Sequence, residues 1–267
     1  MKEFAQKVVR DIHSVFLDRG LPNRLGLYFH NLLATDHNAF ESVIDRVRNA
    51  GYRFVDIETY RRSGLDPTSR KLAFVSFDDN YVDWMDALPL LARLDLPATF
   101  YLNTAPMRDH ATDSEILEYY QARLRYKGPP TSPLSMQQVR EIRDAGHTIG
   151  AHSHNHYCLS DLPVGTAKEE IYVCRDHLEQ GLGQRVKHFS YPFGMRRHFS
   201  PELSQYCIDT GFMTIARATP GLLHQRFDGT TLHRTDWRLS ASFEDNARRF
   251  SIDGRLFERL TGRSAVG

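Results

Sequence analysis

The chain has 267 residues, 41% hydrophobic and 25% charged, with Lys+Arg 34 against Asp+Glu 33 and a formal net charge of +1. These proportions exclude wholesale disorder, collagen and coiled coil, and the even balance of charge removes any global electrostatic case for nucleic acid. Three cysteines, Cys158, Cys174 and Cys207, show no CxxC spacing; they argue against a disulfide framework and for a reducing compartment.

Phe4, Val8, Val9, Ile12, Val15 and Phe16 recur at helical spacing and predict a helix over 1–22. Lys2, Lys7, Arg10 and Arg19 interrupt that stretch, so it reads as no secretory signal, and a cytoplasmic location is expected. No apolar run approaches the roughly 18 residues that span a bilayer. A strand follows over 25–30. Asn38 and Glu41 make a capping pair for a helix over 38–50, with Phe40, Val43, Ile44 and Val47 on one face and Gly51 as its stop. The near-continuous apolar run 72–77 predicts a strand covered on both faces. A helix over 82–94 and a strand over 98–102 come next. The stretch 103–133 reads as an elaborated loop, with a helix around 114–125 and a Gly128-Pro129-Pro130 break. Ser135 with Gln138 caps a helix to Ala145 that Gly146 ends. Then follow a strand over 147–151, a helix capped by Thr166 and Glu169 and stopping near Gly181, and a strand over 187–191. Ser200-Pro201 starts a helix closed by Gly211. The last clear strand is 213–216, with a weaker one over 231–234 and a helical tail over 238–267.

Strands alternating with helices imply a mostly parallel sheet with crossover helices. The number of units favours a single α/β domain over 1–267, built as a distorted, incomplete (β/α) barrel with its core in 25–221. An open doubly wound sheet is the alternative. No GxGxxG or Walker-type glycine loop follows a strand, which argues against a nucleotide fold.

The unusual polar residues fall at strand ends: Asp78 and Asp79 after 72–77, His152, His154 and His156 after 147–151, Tyr191 to Gly194 after 187–191, and His30 after 25–29. In a parallel barrel all these ends converge on one face, where active sites sit. One carboxylate with two imidazoles suffices to hold a catalytic divalent ion with positions left open. A second carboxylate beside it is better placed as a base, and a nearby histidine as an acid.

These motifs, in this order, resemble the polysaccharide deacetylases with the NodB-homology domain, over roughly residues 25–221. Ser76-Phe77-Asp78-Asp79 is similar to the family's T/S-F-D-D motif, His152-Ser153-His154-Asn155-His156 to its H-S/T-x-x-H motif, and Phe189-Ser190-Tyr191-Pro192-Phe193-Gly194 to an F-x-Y-P-Y/F-G variant. Leu88 to Leu91 and Ala98 to Phe100 also have counterparts there. The resemblance implies a metal-dependent carbohydrate N-deacetylase. It implies Asp78 as general base and Asp79, His152 and His156 as ligands of a divalent metal, Zn2+ foremost, with Co2+, Ni2+ or Mn2+ as alternatives. The backbone N–H of Phe193 would help hold the oxyanion. His30 looks like the general acid of the exopolysaccharide-type branch, with His224 and His233 as rivals. The implied partner is an N-acylated amino sugar or a glycan bearing one.

Two positions depart from the pattern. Asn80 replaces the usual glycine after the aspartates, and Ser190 stands where many members carry an arginine that braces the base. Tyr191 and Trp237 are further candidates for sugar contact, with plain packing as the competing reading. The arginine-rich amphipathic tail invites a membrane-surface contact, against which stands a helix packed on the barrel. Two other functions compete: a non-catalytic sugar-binding relative, suggested by Asn80 and Ser190, and an Fe(II) oxygenase, which also uses two histidines and a carboxylate.

Overall fold

The computed structural model describes residues 21–64, 71–107, 111–219 and 228–251. The helix expected over 1–22 (but for its last two residues), His224 and the tail beyond 251 therefore lie outside the described residues. Among the described residues nine strands form one sheet: β1 (Arg24–Phe29), β2 (Arg53–Phe54), β3 (Leu72–Asp79), β4 (Ala98–Leu102), β5 (Thr148–Ala151), β6 (His188–Ser190), β7 (Thr214–Arg217), β8 (Thr231–His233) and β9 (Thr235–Asp236). Their order is β8-β7-β6-β5-β4-β3-β1-β9, with β2 beside β3, and every pairing is parallel. β8 and β9 are successive pieces of one segment. One pairs with β7 and the other with β1, so this segment closes the ring. The result is a distorted (β/α) barrel whose seam rests on a few residues.

The crossover helices are α1 (His37–Asn49), α2 (Ile57–Ser63), α3 (Trp84–Arg93), α4 (Asp113–Ala122), α5 (Met136–Asp144), α6 (Val164–Leu182) and α7 (Pro201–Asp209), and α8 (Phe243–Ser251) follows the closing segment. Several starts follow from local chemistry. Ser135 and Gln138 form the expected capping box, and Ser200 accepts from the Leu203 N–H just before Pro201. Two expected caps are corrected. Asn38 lies inside α1, which grows out of a 3-10 turn at Ala34–Asp36, and Thr166 lies inside α6, which starts directly after Pro163. Pro163, its φ fixed by the ring, stands at the N-cap of α6, where no side-chain cap bond is made. Thr112 and Glu115 make a further capping box, which starts α4 within the stretch read as a loop.

β3 explains how the barrel is filled. All its residues are buried, and successive side chains face opposite sides. Ala73, Val75 and Phe77 join the large cluster beneath the helices. Leu72 and Phe74 instead join Tyr101, Ala216 and Leu232, which come from strands around the ring and can meet only in its interior. Val55, Ile57 and Tyr60 complete this inner cluster. β2 and α2, unforeseen in the sequence, thus plug the end of the barrel where the strands begin. Asp56 caps α2 by accepting from the Thr59 N–H at 2.9 Å. Following the same two-residue period, Ser76 and Asp78 come next along the inner face, so the lining changes from apolar to acidic toward the mouth.

Gly26 is required by the seam. A Cβ there would sit 2.3 Å from the His233 carbonyl oxygen and 3.0 Å from Arg234 Cγ. Absence of a side chain on β1 lets the closing segment approach and brings Arg234 inside.

Candidate active site

Asp78 and Asp79 would point to opposite faces of a regular strand. Asp79 adopts φ 84, and that left-handed turn brings both carboxylates to one mouth. His152 Nε2 lies 3.9 Å from Asp78 Oδ2 and 3.5 Å from Asp79 Oδ1. His156 Nε2 lies 3.3 Å from the same Asp79 oxygen. Ser153, His156 and Phe193 also have positive φ, at 65, 55 and 62. Such backbone costs about 1–3 kcal/mol per residue and persists only where surrounding structure imposes it.

That surrounding structure is a set of buried hydrogen bonds. The Asn103 amide donates to the carbonyls of His152 and Ser153, at 2.5 and 3.2 Å. Glu170 on α6 accepts from the Asn155 backbone and side chain, each at 2.7 Å. Ser153 Oγ accepts from the His156 N–H at 3.1 Å. Together these bonds hold the loop after β5 in its folded-back shape.

The imidazoles are fixed in tautomer by their outer partners. His152 Nδ1 is 2.8 Å from the Ser190 carbonyl oxygen and His156 Nδ1 is 3.3 Å from that of Arg123. A carbonyl only accepts, so each Nδ1 carries the proton and each Nε2 presents a lone pair inward. Burial pushes the His156 imidazole down to about 4, against the pull of Asp79, so it is neutral at physiological pH. For Asp79, burial works to raise the carboxyl, but His156 and the neighbouring imidazoles outweigh it and hold it below the ordinary carboxylate range. Its Oδ2 accepts from Tyr81 at 3.2 Å. Its Oδ1 is buried with no hydrogen-bond partner.

An orphaned buried carboxylate oxygen needs a reason. Asp79, His152 and His156 place one donor atom each within 4.8 Å of one another. Two imidazole nitrogens and a carboxylate oxygen with room for further ligands are the donor set of a catalytic zinc-type ion, so the residues present fit such an ion.

Asp78 is held differently. Arg234, from the bend between β8 and β9, donates to both its oxygens, at 2.6 and 2.8 Å. The same guanidinium donates to Ser76 Oγ at 2.8 Å and Ser190 Oγ at 2.7 Å. It lies between two rings, 4.9 Å from the centroid of Tyr28 and 5.0 Å from that of Tyr101. Burial favours the neutral form of Asp78, but the Arg234 charge prevails and keeps the carboxyl below its ordinary value. The sequence reading missed Arg234. Ser190, marked there as a lost brace, is a partner of the brace that replaced it.

The remaining candidates separate. His30 is exposed, and its charge acts on Asp78, Asp79 and His156 alike. His154 turns away from the carboxylates, with Nδ1 2.8 Å from Thr104 Oγ1. His233 bonds Thr219 at 3.0 Å and feels Arg217 and Asp228. Phe193 borders the site, its ring 4.8 Å from that of His156. Tyr191 and Trp237 are each only 1% exposed. Tyr191 packs against Phe189 and Phe199, and Trp237 against Phe243. Neither leaves a ring face open for a sugar to stack on, so their expected sugar contact is corrected to packing.

The left-handed residue is Asp79, and Asn80 instead ties segments together: its amide donates to the Asn103 carbonyl at 3.0 Å, its Oδ1 accepts from the Leu134 N–H at 2.9 Å, and its carbonyl accepts from Tyr120. Asn80→Gly should therefore destabilise the protein by about 2–4 kcal/mol, as two buried hydrogen bonds are lost. Chemical denaturation measures this, and an unchanged midpoint would show that the amide contributes nothing.

Comparisons with known proteins bear on the family and the fold. A family model described as Polysaccharide deacetylase matches residues 66–214. The Bacillus subtilis protein YlxY, itself described as uncharacterized, is 27% identical over 138 residues, which cover 52% of this chain and 35% of that relative. The chain thus spans about a third of the length of the curated relative it matches. Among solved structures, IcaB from Ammonifex degensii superposes with a TM-score of 0.66 at 20% identity, covering 85% of this chain and 96% of that one. The Streptococcus pyogenes deacetylase PplD, in complex with acetate, gives 0.64 at 16% identity, covering 85% and 98%. At such identities the likeness speaks for the fold.

Proposed function

Because the chain belongs to the polysaccharide deacetylase family, whose members hydrolyse amide bonds of carbohydrates, we propose that it removes an N-acyl group, N-acetyl foremost, from an amino sugar in a glycan or glycan precursor. The observation that carries this reading is the convergence of Asp79, His152 and His156 around an orphaned carboxylate oxygen, beside a second, separately braced aspartate. Asp79, His152 and His156 would hold a divalent ion, Zn2+ foremost, which when bound polarises an amide carbonyl and acidifies water.

The protein's own groups account for the proton transfers. Asp78 is ionised at neutral pH and takes a proton from the attacking water. Arg234, Ser76 and Ser190 hold its carboxylate in one orientation, so its geometry is set before substrate arrives. The departing amine is a poor leaving group and must be protonated. His30, whose charge reaches both aspartates, fills that role better than His233, whose partners lie elsewhere. The Phe193 N–H is proposed as the oxyanion donor; such a donor is worth about 2.7–4 kcal/mol in the transition state.

The grounds for a non-catalytic reading weaken on this view, since Arg234 supplies what Ser190 lacks and Asn80 has a structural role. A screen of N-acyl amino sugars for released amine tests the proposal. Turnover is expected from the metal-loaded protein and should vanish with a chelator. Full turnover in the chelator-treated protein would reject the metal assignment.

A further inference from the structure

The segment 123–126 forms one wall of the site and is pinned at both ends. The Arg123 carbonyl faces His156 Nδ1, and the Arg123 guanidinium lies 4.4 Å from the Tyr157 ring centroid and donates to its hydroxyl at 3.1 Å. At the other end the Tyr126 N–H donates to the Tyr120 carbonyl at 2.9 Å, and its ring lies 5.4 Å from Tyr81, the residue that holds Asp79. Arg125 sits between these anchors with φ 55, a backbone that arginine adopts only under constraint. Its guanidinium rests 5.4 Å from the Phe193 ring centroid.

Phe193 is therefore the centre of a charged rim. One flank of its ring meets His156. Another meets His198 at 5.5 Å, to which Arg197 Nε bonds at 3.0 Å. Arg123, Arg125 and Arg197 are all exposed. Among the described residues neither Arg123 nor Arg125 has a carboxylate within ion-pair distance, although Glu115 and Glu118 line a cavity with Arg123, and the Asp161 charge acts on His198. An anionic glycan gains more from such an arrangement than a neutral one, because charge-assisted hydrogen bonds to guanidinium are the stronger kind. Guanidinium forks match the paired oxygens of a phosphate or carboxylate, and those of Arg123 and Arg125 rest on the rings of Tyr157 and Phe193 beside the site.

Resting on the deacetylase reading, we propose that the substrate is an anionic one: its N-acyl amino sugar carries a phosphate or carboxylate group next to the reacting unit, and Arg125, with Arg123 and Arg197 beside it, recognises that group.

Amine release from four metal-loaded assays tests this: a neutral N-acetylated amino-sugar oligosaccharide, the sugar linked to a nucleoside diphosphate, the sugar linked to a lipid diphosphate, and an oligosaccharide in which uronates alternate with it. At least one anionic substrate is expected to exceed the neutral one by about tenfold or more in kcat/KM, with a preference that shrinks as salt is added. The fastest arm identifies the source of the anion. Arg125→Ala and Arg197→Ala should each lower that preference by about fivefold, mainly through KM, with partial rescue in Arg125→Lys. Equal turnover of neutral and anionic substrates, or a preference untouched in both alanine variants, would overturn the inference and leave the deacetylase reading standing. No amine from any substrate, in protein that still binds Zn2+ by calorimetry, would reject both.

Discussion

Asp79→Asn is expected to abolish stoichiometric binding of Zn2+ and, with it, amide hydrolysis. The substitution keeps the shape and removes the one charge that two inward-facing imidazole nitrogens share. Loss of an outer partner of a metal ligand typically costs 10–100-fold in affinity, so loss of a direct ligand should exceed about a hundredfold. Two readouts separate this from misfolding. Adding Zn2+ should raise the melting temperature of the native protein, by a linkage worth about 2.7 kcal/mol at a hundredfold excess over Kd. The same addition should leave the Asp79→Asn variant unmoved. Asp79→Glu restores the charge but displaces the oxygen along the strand, and should recover binding only in part. Native-like zinc affinity in Asp79→Asn would sink the assignment, because the remaining imidazoles would then be sufficient without the carboxylate.

The Asp79, His152 and His156 cluster was legible because each member lies in a short motif at a strand end. Aspartates after an apolar run, and histidines at i and i+4 after another, are local patterns, and a parallel barrel brings such ends together whatever separates them in sequence. Arg234 was illegible for the opposite reason. It lies 156 residues from Asp78, in a two-piece strand too short to show a period, and nothing in Leu232-His233-Arg234-Thr235 marks an inward arginine. β2 and α2 were missed likewise: Arg53–Phe54 is too short to alternate, and α2 buries only Ile57 and Tyr60. Trp237 shows the reverse error. A tryptophan near the end of the last strand suggests a sugar platform, but which face it takes is decided by register, and its backbone N–H bonds to the Tyr28 carbonyl at 3.2 Å with the ring turned onto Phe243.

The seam and the brace of Asp78 are the same structure. β8 and β9 close the barrel through few backbone pairings, and between them Arg234 reaches inward to Ser76, Asp78 and Ser190, which sit on β3 and β6. Gly26 clears the path from β1. The closing segment thus completes the ring and orients the Asp78 carboxylate together. A substitution that loosens one should loosen the other, which distinguishes Arg234 from a surface ion pair worth little to either.

Arg234→Met should consequently cost about 3–5 kcal/mol of stability, because it strands the Asp78 charge in a buried site. It should also lower kcat by about 10²–10³, within the range attributed to positioned general bases. The pH dependence gives the sharper reading. In the native protein the Asp78 carboxyl sits below its ordinary value of 3.8, because the Arg234 charge outweighs burial. A depressed carboxyl contributes stability that is fully present above the ordinary value and is lost as pH falls through the depressed one. Without the guanidinium, burial acts alone and lifts Asp78, so both the acid limb of kcat and the acid unfolding transition should move to higher pH. Arg234→Lys supplies a point charge that cannot serve both oxygens, and should fall between the two. Asp78→Asn combined with Arg234→Met removes both charges; stability should recover relative to Arg234→Met alone while turnover stays absent. Arg234→Met with a native acid limb and native unfolding midpoint would show that Asp78 is oriented and kept ionised by something other than this arginine.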